Sequence, residues 1–180
     1  MTGTGIDRRA VASARLLLRE LTFGDTAFVV ELLNDPDFLR FIGDRGVRDE
    51  AGARRYLESG PLASYAANGF GLYAVVTRDG GEVAGLCGLL RRDWLDHPDV
   101  GFAYLPRFRG RGYAVEAARA VLDDAARRLG LTKVAAIVSP GNLRSVRVLE
   151  KLGFRREGDA RPPGEGADVH VFAWTASGGA

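Results

Sequence analysis

Cationic and glycine residues alternate over Arg109, Gly110, Arg111 and Gly112, directly before an amphipathic stretch of the chain. Glycines allow successive backbone N–H groups to converge on one point, and they let an anion approach without meeting a Cβ atom. The N-terminus of a following helix adds partial positive charge, and arginines add full charges. These features suit a pyrophosphate, and the alternative is a surface turn that only caps a helix.

Two familiar phosphate-binding loops do not match this stretch. A P-loop requires a Gly-Lys-Ser/Thr element, which the sequence lacks. A dinucleotide fingerprint requires a third glycine after the first strand of a β–α–β unit. Here Tyr113, Ala114 and Val115 follow Gly112, and the stretch lies well past mid-chain. An anion-binding turn of another kind therefore remains.

A second polar set lies downstream, in the stretch NLRSVRVLEKLGF (142–154). Asn142 is a good helix N-cap, a role worth about 1 kcal/mol. Ser145 follows one helical turn later on nearly the same face. Gly153 and Phe154 are typical of a helix that ends at a glycine followed by a hydrophobic residue. We therefore expect the Asn142 and Ser145 side chains to point towards the same space.

Regular elements surround both sets. Apolar residues spaced by three and four positions from Val115 to Leu129 predict one amphipathic helix, which Gly130 ends. The pattern predicts three strands around this helix: 99–105, 133–139 and 168–174.

The first half of the chain combines helices with strands. The sequence RDGG (78–81) between two apolar runs is a hairpin signal. The other predicted elements are a strand at 15–21, helices at 26–34, 38–42 and 49–59, and the two hairpin strands at 69–77 and 81–90. This order predicts an α/β (α+β) domain around a single mixed, twisted sheet flanked by helices.

Length and composition limit the domain organisation. The chain has 180 residues, of which 46% are hydrophobic, enough for one well-packed domain. We expect a flexible leader over residues 1–12, the domain over 13–175 and a flexible tail over 176–180. The lone Cys87 excludes an internal disulfide. Without an apolar run long enough for a membrane span or a signal-peptide core, we expect a cytoplasmic protein with no membrane partner.

Charge is distributed unevenly along the chain. Residues 101–156 hold twelve Arg or Lys against four Asp or Glu, a balance of +8, whereas the remainder has 13 basic and 19 acidic residues, a balance of −6. The basic part favours an anionic ligand. The overall charge of +2 and the lack of a basic–aromatic RNA motif argue against a nucleic-acid partner.

The two polar sets together resemble the signatures of the Gcn5-related N-acetyltransferase (GNAT) superfamily, and within it the RimJ/RimL-type branch. The acetyl-CoA signature of that superfamily, Gln/Arg-x-x-Gly-x-Gly/Ala, is matched in order by Arg109, Gly112 and Ala114. The usual continuation in the branch is matched by Tyr113, Ala114, Glu116 and Ala117, and its second signature by Asn142, Ser145, Lys151, Gly153 and Phe154. The resemblance runs from about Arg15 to Trp174, and Asp25 fits it as the acid after the first strand.

The resemblance implies a mostly antiparallel GNAT fold, and an enzyme that transfers acetyl from acetyl-CoA to a primary amine by direct attack in a ternary complex. Acetyl-CoA is then the co-substrate, and no metal is implied. The acceptor is a protein N-terminus or a small-molecule amine, with residues 38–65 as its expected wall. The implied cofactor-binding residues are Phe102, Ala103, Tyr104, Arg109, Gly110, Arg111, Gly112, Tyr113, Ala114, Asn142 and Ser145.

The catalytic residues carry over less directly. Many relatives protonate the leaving thiolate with a Tyr beyond the Ser, but the sequence there is VRVLEKL, so we assign that role to Ser145 or a water it holds. A base is needed only for a protonated acceptor amine. Asp99, expected at the mouth of its strand, is the first candidate, ahead of Glu157 and Glu165. His170 is a candidate for the wall of the acceptor pocket.

Three alternatives stay open from the sequence. The chain has the features expected for cofactor binding, but these features alone do not separate an enzyme from a catalytically silent module that only senses acyl-CoA. A homodimer is a further alternative to a single chain. Acyl groups longer than acetyl are not excluded by any residue in either signature.

Overall fold

Residues 10–177 form a single open sheet, as the sequence predicted, and this sheet has eight strands. The computed structural model describes residues 10–177. The strands are β1 (Ala10–Ala12), β2 (Leu16–Glu20), β3 (Leu72–Thr77), β4 (Val83–Leu90), β5 (Asp99–Tyr104), β6 (Lys133–Val138), β7 (Arg155–Ala160) and β8 (Val169–Thr175). They lie in the order β1-β2-β3-β4-β5-β6-β8-β7.

Within residues 10–177, six α-helices flank the sheet. They are α1 (Thr26–Leu33), α2 (Pro36–Phe41), α3 (Glu50–Leu57), α4 (Ala63–Asn68), α5 (Tyr113–Arg128) and α6 (Leu143–Lys151). A π-helical turn, Glu58–Leu62, connects α3 to α4, and short 3-10 turns precede α1 and α5. Helix α5 packs against β4 and β5 and also contacts β1 and β2, so it crosses the centre of the sheet.

The central strands meet in the only parallel pairing found within residues 10–177. Strand β5 pairs with β4 along all six of its residues, Asp99–Tyr104. On its other side it pairs with β6 in parallel and at one position, Asp99 opposite Ala135. Beyond that position no further β5–β6 pair forms, whereas β6 pairs along its whole length with β8 on its other edge. The sheet therefore opens between its two middle strands.

Helix α5 begins and ends at glycines. Gly112 is its N-cap with a φ of +79°, a left-handed conformation that favours glycine. The buried face centres on Ala118, Leu122 and Ala125. At the other end Gly130 is left-handed, and the Leu131 N–H donates to the Ala125 carbonyl at 3.1 Å, a Schellman-type cap. The predicted helix and its glycine end are confirmed.

Three elements were not predicted. Residues 10–12 of the expected flexible leader form β1, an edge strand paired with β2, whereas residues 1–9 and 178–180 lie outside the described part of the chain. Strand β7 has almost no buried residue and owes its conformation to pairing with β8. Helix α4 follows a proline inside the π-helical turn, where sequence patterns favour a break.

Two kinds of feature are absent from residues 10–177. No helix there is long and apolar enough to cross a membrane. No group of three or more His, Cys, Asp or Glu side chains is arranged to hold a metal ion within that range. Cys87, on β4, is fully buried among hydrophobic side chains.

A buried ion pair holds the start of α1 against β2. Asp25 is 6% exposed and accepts hydrogen bonds from both terminal nitrogens of Arg19, at 2.8 and 2.9 Å. The Thr22 N–H also donates to Asp25, at 2.8 Å. Burial alone raises the pKa of Asp25, but these donors outweigh burial and hold the pKa below its ordinary value.

Asp25→Asn removes this charge while keeping the shape of the side chain. Because it leaves Arg19 without its partner, we expect the free energy of unfolding at pH 7 to fall by about 2 kcal/mol. The folded-state pKa of Asp25 is depressed, so its contribution is present above the ordinary value of 3.8 and disappears as pH falls further. Urea denaturation should therefore show the deficit at pH 7 and a smaller one near pH 3.

Asp44→Asn is the matched control, because Asp44 pairs with Arg48 on the surface, with both side chains more than half exposed. We expect it to leave the unfolding free energy nearly unchanged. Equal losses for the two variants at pH 7 would contradict the assigned role of Asp25.

Candidate active site

A cavity of about 600 Å³ occupies the opening between β5 and β6. One wall is formed by Val100–Ala103 of β5, and the other by Ala136–Val138 of β6. Since β5 and β6 pair only at Asp99 and Ala135, the peptide groups of β5 that face β6 have no strand partner within the described residues. Such an edge can accept an extended, amide-containing ligand as an additional strand.

The cavity brings together five of the predicted site residues. Its lining includes Asp99, Phe102, Ala103, Asn142 and Ser145. These residues come from β5 and from the start of α6, which are distant in sequence and adjacent here. Asn142 and Ser145, which the sequence placed on nearly the same helix face, both line this cavity.

The start of α6 is fixed by local hydrogen bonds. The Asn142 side chain accepts from the Ser145 N–H at 3.2 Å, so Asn142 is the predicted N-cap. The Asn142 N–H donates to the Ser139 carbonyl at 2.9 Å, and the Ser139 hydroxyl donates to the Phe41 carbonyl at 2.7 Å. This chain of bonds connects the Asn142 end of the cavity to α2.

The glycine loop, residues Arg109–Ala114, lies at the end of β5 and does not line the cavity. Gly110 and Gly112 both have positive φ, at +74° and +79°. A Cβ atom built on Gly110 would meet nothing within 4 Å, so the space beside that residue is open. The loop thus presents backbone next to the N-terminus of α5, where the helix dipole favours an anion.

The Arg109 side chain points into the protein and away from any ligand at the loop. Its Nε donates to the Tyr104 carbonyl at 2.9 Å, and its terminal nitrogens pair with Asp35 at 2.6 Å and Asp37 at 2.9 Å. Asp37 also pairs with Arg144 on α6. Arg109 therefore acts by joining β5, α2 and, through Asp37, α6, which leaves anion contact to the loop backbone.

Glu116 holds the other side of the glycine loop. It accepts hydrogen bonds from the Ser13 hydroxyl at 2.7 Å, the Arg15 N–H at 2.8 Å and the Arg15 Nε at 2.7 Å. The same guanidinium donates to the Arg111 carbonyl at 2.9 Å. Burial raises the pKa of Glu116, but its donors lower it further, so the side chain stays ionised.

Asp99 is the first residue of β5, at the start of the strand as expected, but its side chain is buried rather than solvated. Its side chain is 1% exposed and sits at the closed end of the opening, where the Arg92 Nε donates to it at 2.9 Å. Burial raises the pKa of Asp99 although Arg92 opposes the rise. The position follows from the single pairing of Asp99 with Ala135, which a sequence pattern does not reveal.

Other predicted residues lie in different surroundings. Tyr104 is buried, and its hydroxyl donates to the Tyr113 carbonyl at 3.3 Å, so its side chain supports the glycine loop. Of the alternative bases, Glu165 lines the cavity, whereas Glu157 pairs with Lys133 at 2.8 Å. The wall position expected for His170 is wrong: its Nδ1 lies 2.6 Å from Asp159, and it does not line the cavity.

Polar residues that line the cavity and that sequence reasoning missed include Arg45, Tyr56 and Arg91. They lie on a loop, on α3 and on the segment after β4, and none belongs to either signature. Arg45 and Tyr56 fall within the expected acceptor wall at 38–65, but no spacing rule singles them out. Arg91 lies outside that wall altogether.

An opened pair of central strands beside a glycine-rich helix N-terminus is the arrangement implied for the acetyl-CoA-dependent N-acetyltransferases. The model of the acetyltransferase (GNAT) domain family matches residues 15–155, and the chain belongs to this family. As a member, it is an acetyl-CoA-dependent acetyltransferase.

Similar proteins agree with that assignment. The chain is 28% identical over 148 residues to the Bacillus subtilis protein named N-acetyltransferase YnaD, covering 82% of this chain and 84% of that protein. A GNAT-family acetyltransferase from Bacillus anthracis superposes with a TM-score of 0.77 at 26% identity, over 93% of this chain and 98% of that one. A RimL ribosomal L7/L12 alpha-N-protein acetyltransferase shares the fold, with a TM-score of 0.79 at 16% identity over 98% of both chains.

Arg109→Met tests the structural role of the signature arginine. Removing it leaves Asp35, which is 8% exposed, without its cationic partner. We therefore expect the free energy of unfolding to fall by about 3 kcal/mol. Urea denaturation at neutral pH measures the change.

Arg107→Met provides the control two residues away, because Arg107 pairs with Glu31 while both side chains are about half exposed. Arg107→Met should lower the free energy of unfolding by less than about 0.5 kcal/mol. If Arg109→Met lowers the free energy of unfolding no more than Arg107→Met does, the Arg109 guanidinium does not hold β5 and α2 together.

Proposed function

We propose that this protein transfers the acetyl group of acetyl-CoA to a primary amine by direct attack of the amine within a ternary complex. The observation that carries the proposal is the opening between β5 and β6, together with the chain order in which the end of β5 leads to the glycine loop and α5. It combines a strand edge for an amide-containing arm with a backbone site for an anion. The acceptor is a protein N-terminus or a small-molecule amine.

The residues present fit acetyl-CoA. The open space beside Gly110 and the inward direction of the Arg109 side chain leave backbone N–H groups of the glycine loop for the pyrophosphate. The edge of β5 over Phe102, Ala103 and Tyr104 suits the amides of the pantetheine arm, and the Asn142 side chain adds one polar contact at the α6 side. When bound, acetyl-CoA supplies an acetyl group already activated as a thioester.

The protein contributes mainly position and proton transfer. Holding both reactants in one slot removes much of the entropic barrier to a bimolecular step. As the N–C bond forms and the C–S bond breaks, backbone N–H groups near Phe102–Tyr104 donate to the carbonyl oxygen, which gains negative charge. Ser145, or a water it holds, supplies a proton to the leaving sulfur.

The proton lost by the amine goes to Asp99. Its burial at the closed end of the opening raises its pKa, which brings the carboxylate nearer to the range of an effective base. Glu165 also lines the cavity and is exposed, so it is the comparison residue. With an acceptor whose amine is already neutral, neither carboxylate is required.

Gly112→Asp tests the anion site at the glycine loop. Aspartate tolerates a left-handed φ better than most residues, so the fold should persist. Its negative charge beside the helix N-terminus should reduce acetyl-CoA affinity at least tenfold, measured by calorimetry. Gly112→Asn introduces a side chain of the same shape without the charge, so its acetyl-CoA affinity should fall less than that of Gly112→Asp.

Gly130→Asp controls for charge and backbone at the opposite end of the same helix, where Gly130 is also left-handed with open space around it. Its acetyl-CoA affinity should equal that of the unchanged protein. Undiminished affinity in Gly112→Asp would refute the loop as the pyrophosphate site, whereas affinity without turnover of any amine would favour a silent sensing module.

Ser145→Ala and Asp99→Asn separate the two proton transfers. Ser145→Ala removes the proposed proton donor to the leaving sulfur and should lower kcat about tenfold or more at every pH. Asp99→Asn removes the proposed base and should lower the rate strongly at pH 7 for an amine with a pKa near 10.4. The deficit should become smaller as pH approaches that pKa, because neutral amine becomes available. Coenzyme A release against pH measures both.

Glu165→Gln is the matched control for the base, and circular dichroism melting checks that Asp99→Asn folds. A pH-dependent loss in Glu165→Gln but not in Asp99→Asn would transfer the role of base to Glu165.

A further inference from the structure

The cavity lining contains arginines that the proposed acetyl-CoA site does not use. Besides the residues assigned above, its lining includes Arg45, Arg91 and Arg92. Arg92 pairs with Asp99 at 2.9 Å and is therefore neutralised. Within residues 10–177 neither Arg45 nor Arg91 has a carboxylate at ion-pair distance, and both side chains are exposed. Two full positive charges thus stand at the cavity without a partner in the described part of the chain.

Tyr56 adds a neutral donor beside this charge. Its hydroxyl has no hydrogen-bond partner among residues 10–177, and no buried polar side-chain atom there lacks a partner. The hydroxyl is therefore not completely buried, and it belongs to a residue that lines the cavity. Burial of the ring raises the pKa of Tyr56, although the nearby charge of Arg45 opposes the rise, so the phenol stays a donor at neutral pH.

One acidic side chain balances part of this charge. Glu165 also lines the cavity and has no ion-pair partner among residues 10–177. The unpaired charges of the lining are therefore two positive, Arg45 and Arg91, and one negative, Glu165. This pattern complements a molecule that carries both an ammonium and a carboxylate group.

The chemistry of the donors favours a carboxylate over other groups. A guanidinium presents donors in a planar fork that matches carboxylate geometry, and it has no acceptor. A phenol completes such a site with one more donor. An acceptor with several amines would instead bring like charges towards Arg45 and Arg91, which repel it.

We propose that Arg45, Arg91 and Tyr56 recognise a carboxylate on the acceptor, so the substrate is a primary amine that also carries a carboxylate group. This inference rests on the proposed function, and it narrows the acceptor to one chemical class. The shared chemistry occurs in a free amino acid and in a peptide whose acidic side chain lies close to its N-terminal amine.

The first experiment compares matched acceptors by coenzyme A release. One arm pairs free amino acids with their amides, and the other pairs Ser-Asp-amide with Ser-Asn-amide. Spermidine serves as the polycationic acceptor. Rates are compared at equal concentrations of neutral amine, so that differences in amine pKa do not enter. We expect kcat/KM to be at least about tenfold higher for the carboxylate member of one pair, because hydrogen bonds to charged groups are strong.

The arm that shows the preference identifies the source of the carboxylate, a small amino acid or an acidic peptide. Equal rates within both pairs, or a preference for spermidine, would overturn the inference while leaving acetyl transfer intact. Absence of turnover with every acceptor, despite acetyl-CoA binding, would contradict the proposed function and this inference with it.

The second experiment removes the donors one at a time. Arg45→Gln and Arg91→Gln should each raise KM for the preferred carboxylate acceptor about tenfold, and Tyr56→Phe less, with little change for its amide partner. Acetyl-CoA affinity, measured by calorimetry, should stay unchanged. Arg78→Gln, at an exposed arginine in the β3–β4 turn that does not line the cavity, is the control and should have no effect.

Selectivity for the carboxylate that survives in both arginine variants would overturn the assignment of these residues. An equal rise in the KM of both arginine variants for the carboxylate acceptor and for its amide would also overturn the assignment. Such a rise would indicate a general change in the shape of the cavity, which affects both acceptors.

Discussion

The structure depends on a single backbone contact between its two central strands. Asp99 of β5 and Ala135 of β6 are opposite each other, the Ala135 N–H donates to the Pro98 carbonyl at 2.9 Å, and beyond them the strands part. Strong pairing on the outer sides, with β4 and with β8, holds both strands while their inner edges stay apart. The opening is thus a product of sheet topology, and the cavity, the strand edge and the buried position of Asp99 all follow from it.

Charged side chains hold in place the helices and the glycine loop around this opening. Arg109 and Asp37 connect β5, α2 and α6, while Glu116 and Arg15 attach the glycine loop to the turn before β2. Both networks engage the side chains of Arg109 and Glu116, two residues of the first signature and its continuation, within the protein itself. Their effect is to leave backbone groups, held in place from two sides, at the position where an anion is expected.

Local features of the sequence were enough for most of the fold and for part of the site. The apolar spacing of α5, its end at Gly130 and the N-cap at Asn142 depend on neighbouring residues, so they could be predicted. The burial of Asp99 depends on Arg92 and on pairing with a strand far along the chain, and no local pattern contains that information. Arg45, Tyr56 and Arg91 line one cavity only because the tertiary structure brings their segments there, so no local pattern reveals them either. The mismatch at His170 arose because alternation along a strand does not say which element covers each face.

Strand β7 was missed because four of its six residues are charged and it buries almost nothing. The same composition has a consequence for the behaviour of the molecule in a crowded solution. An open sheet has two edges whose free peptide groups can recruit a strand from another molecule and begin aggregation. Arg155, Arg156, Glu157 and Asp159 place charge along one of these edges, and the irregular register at Gly158 disturbs its flatness. The outermost strand thereby protects the open sheet from unwanted growth.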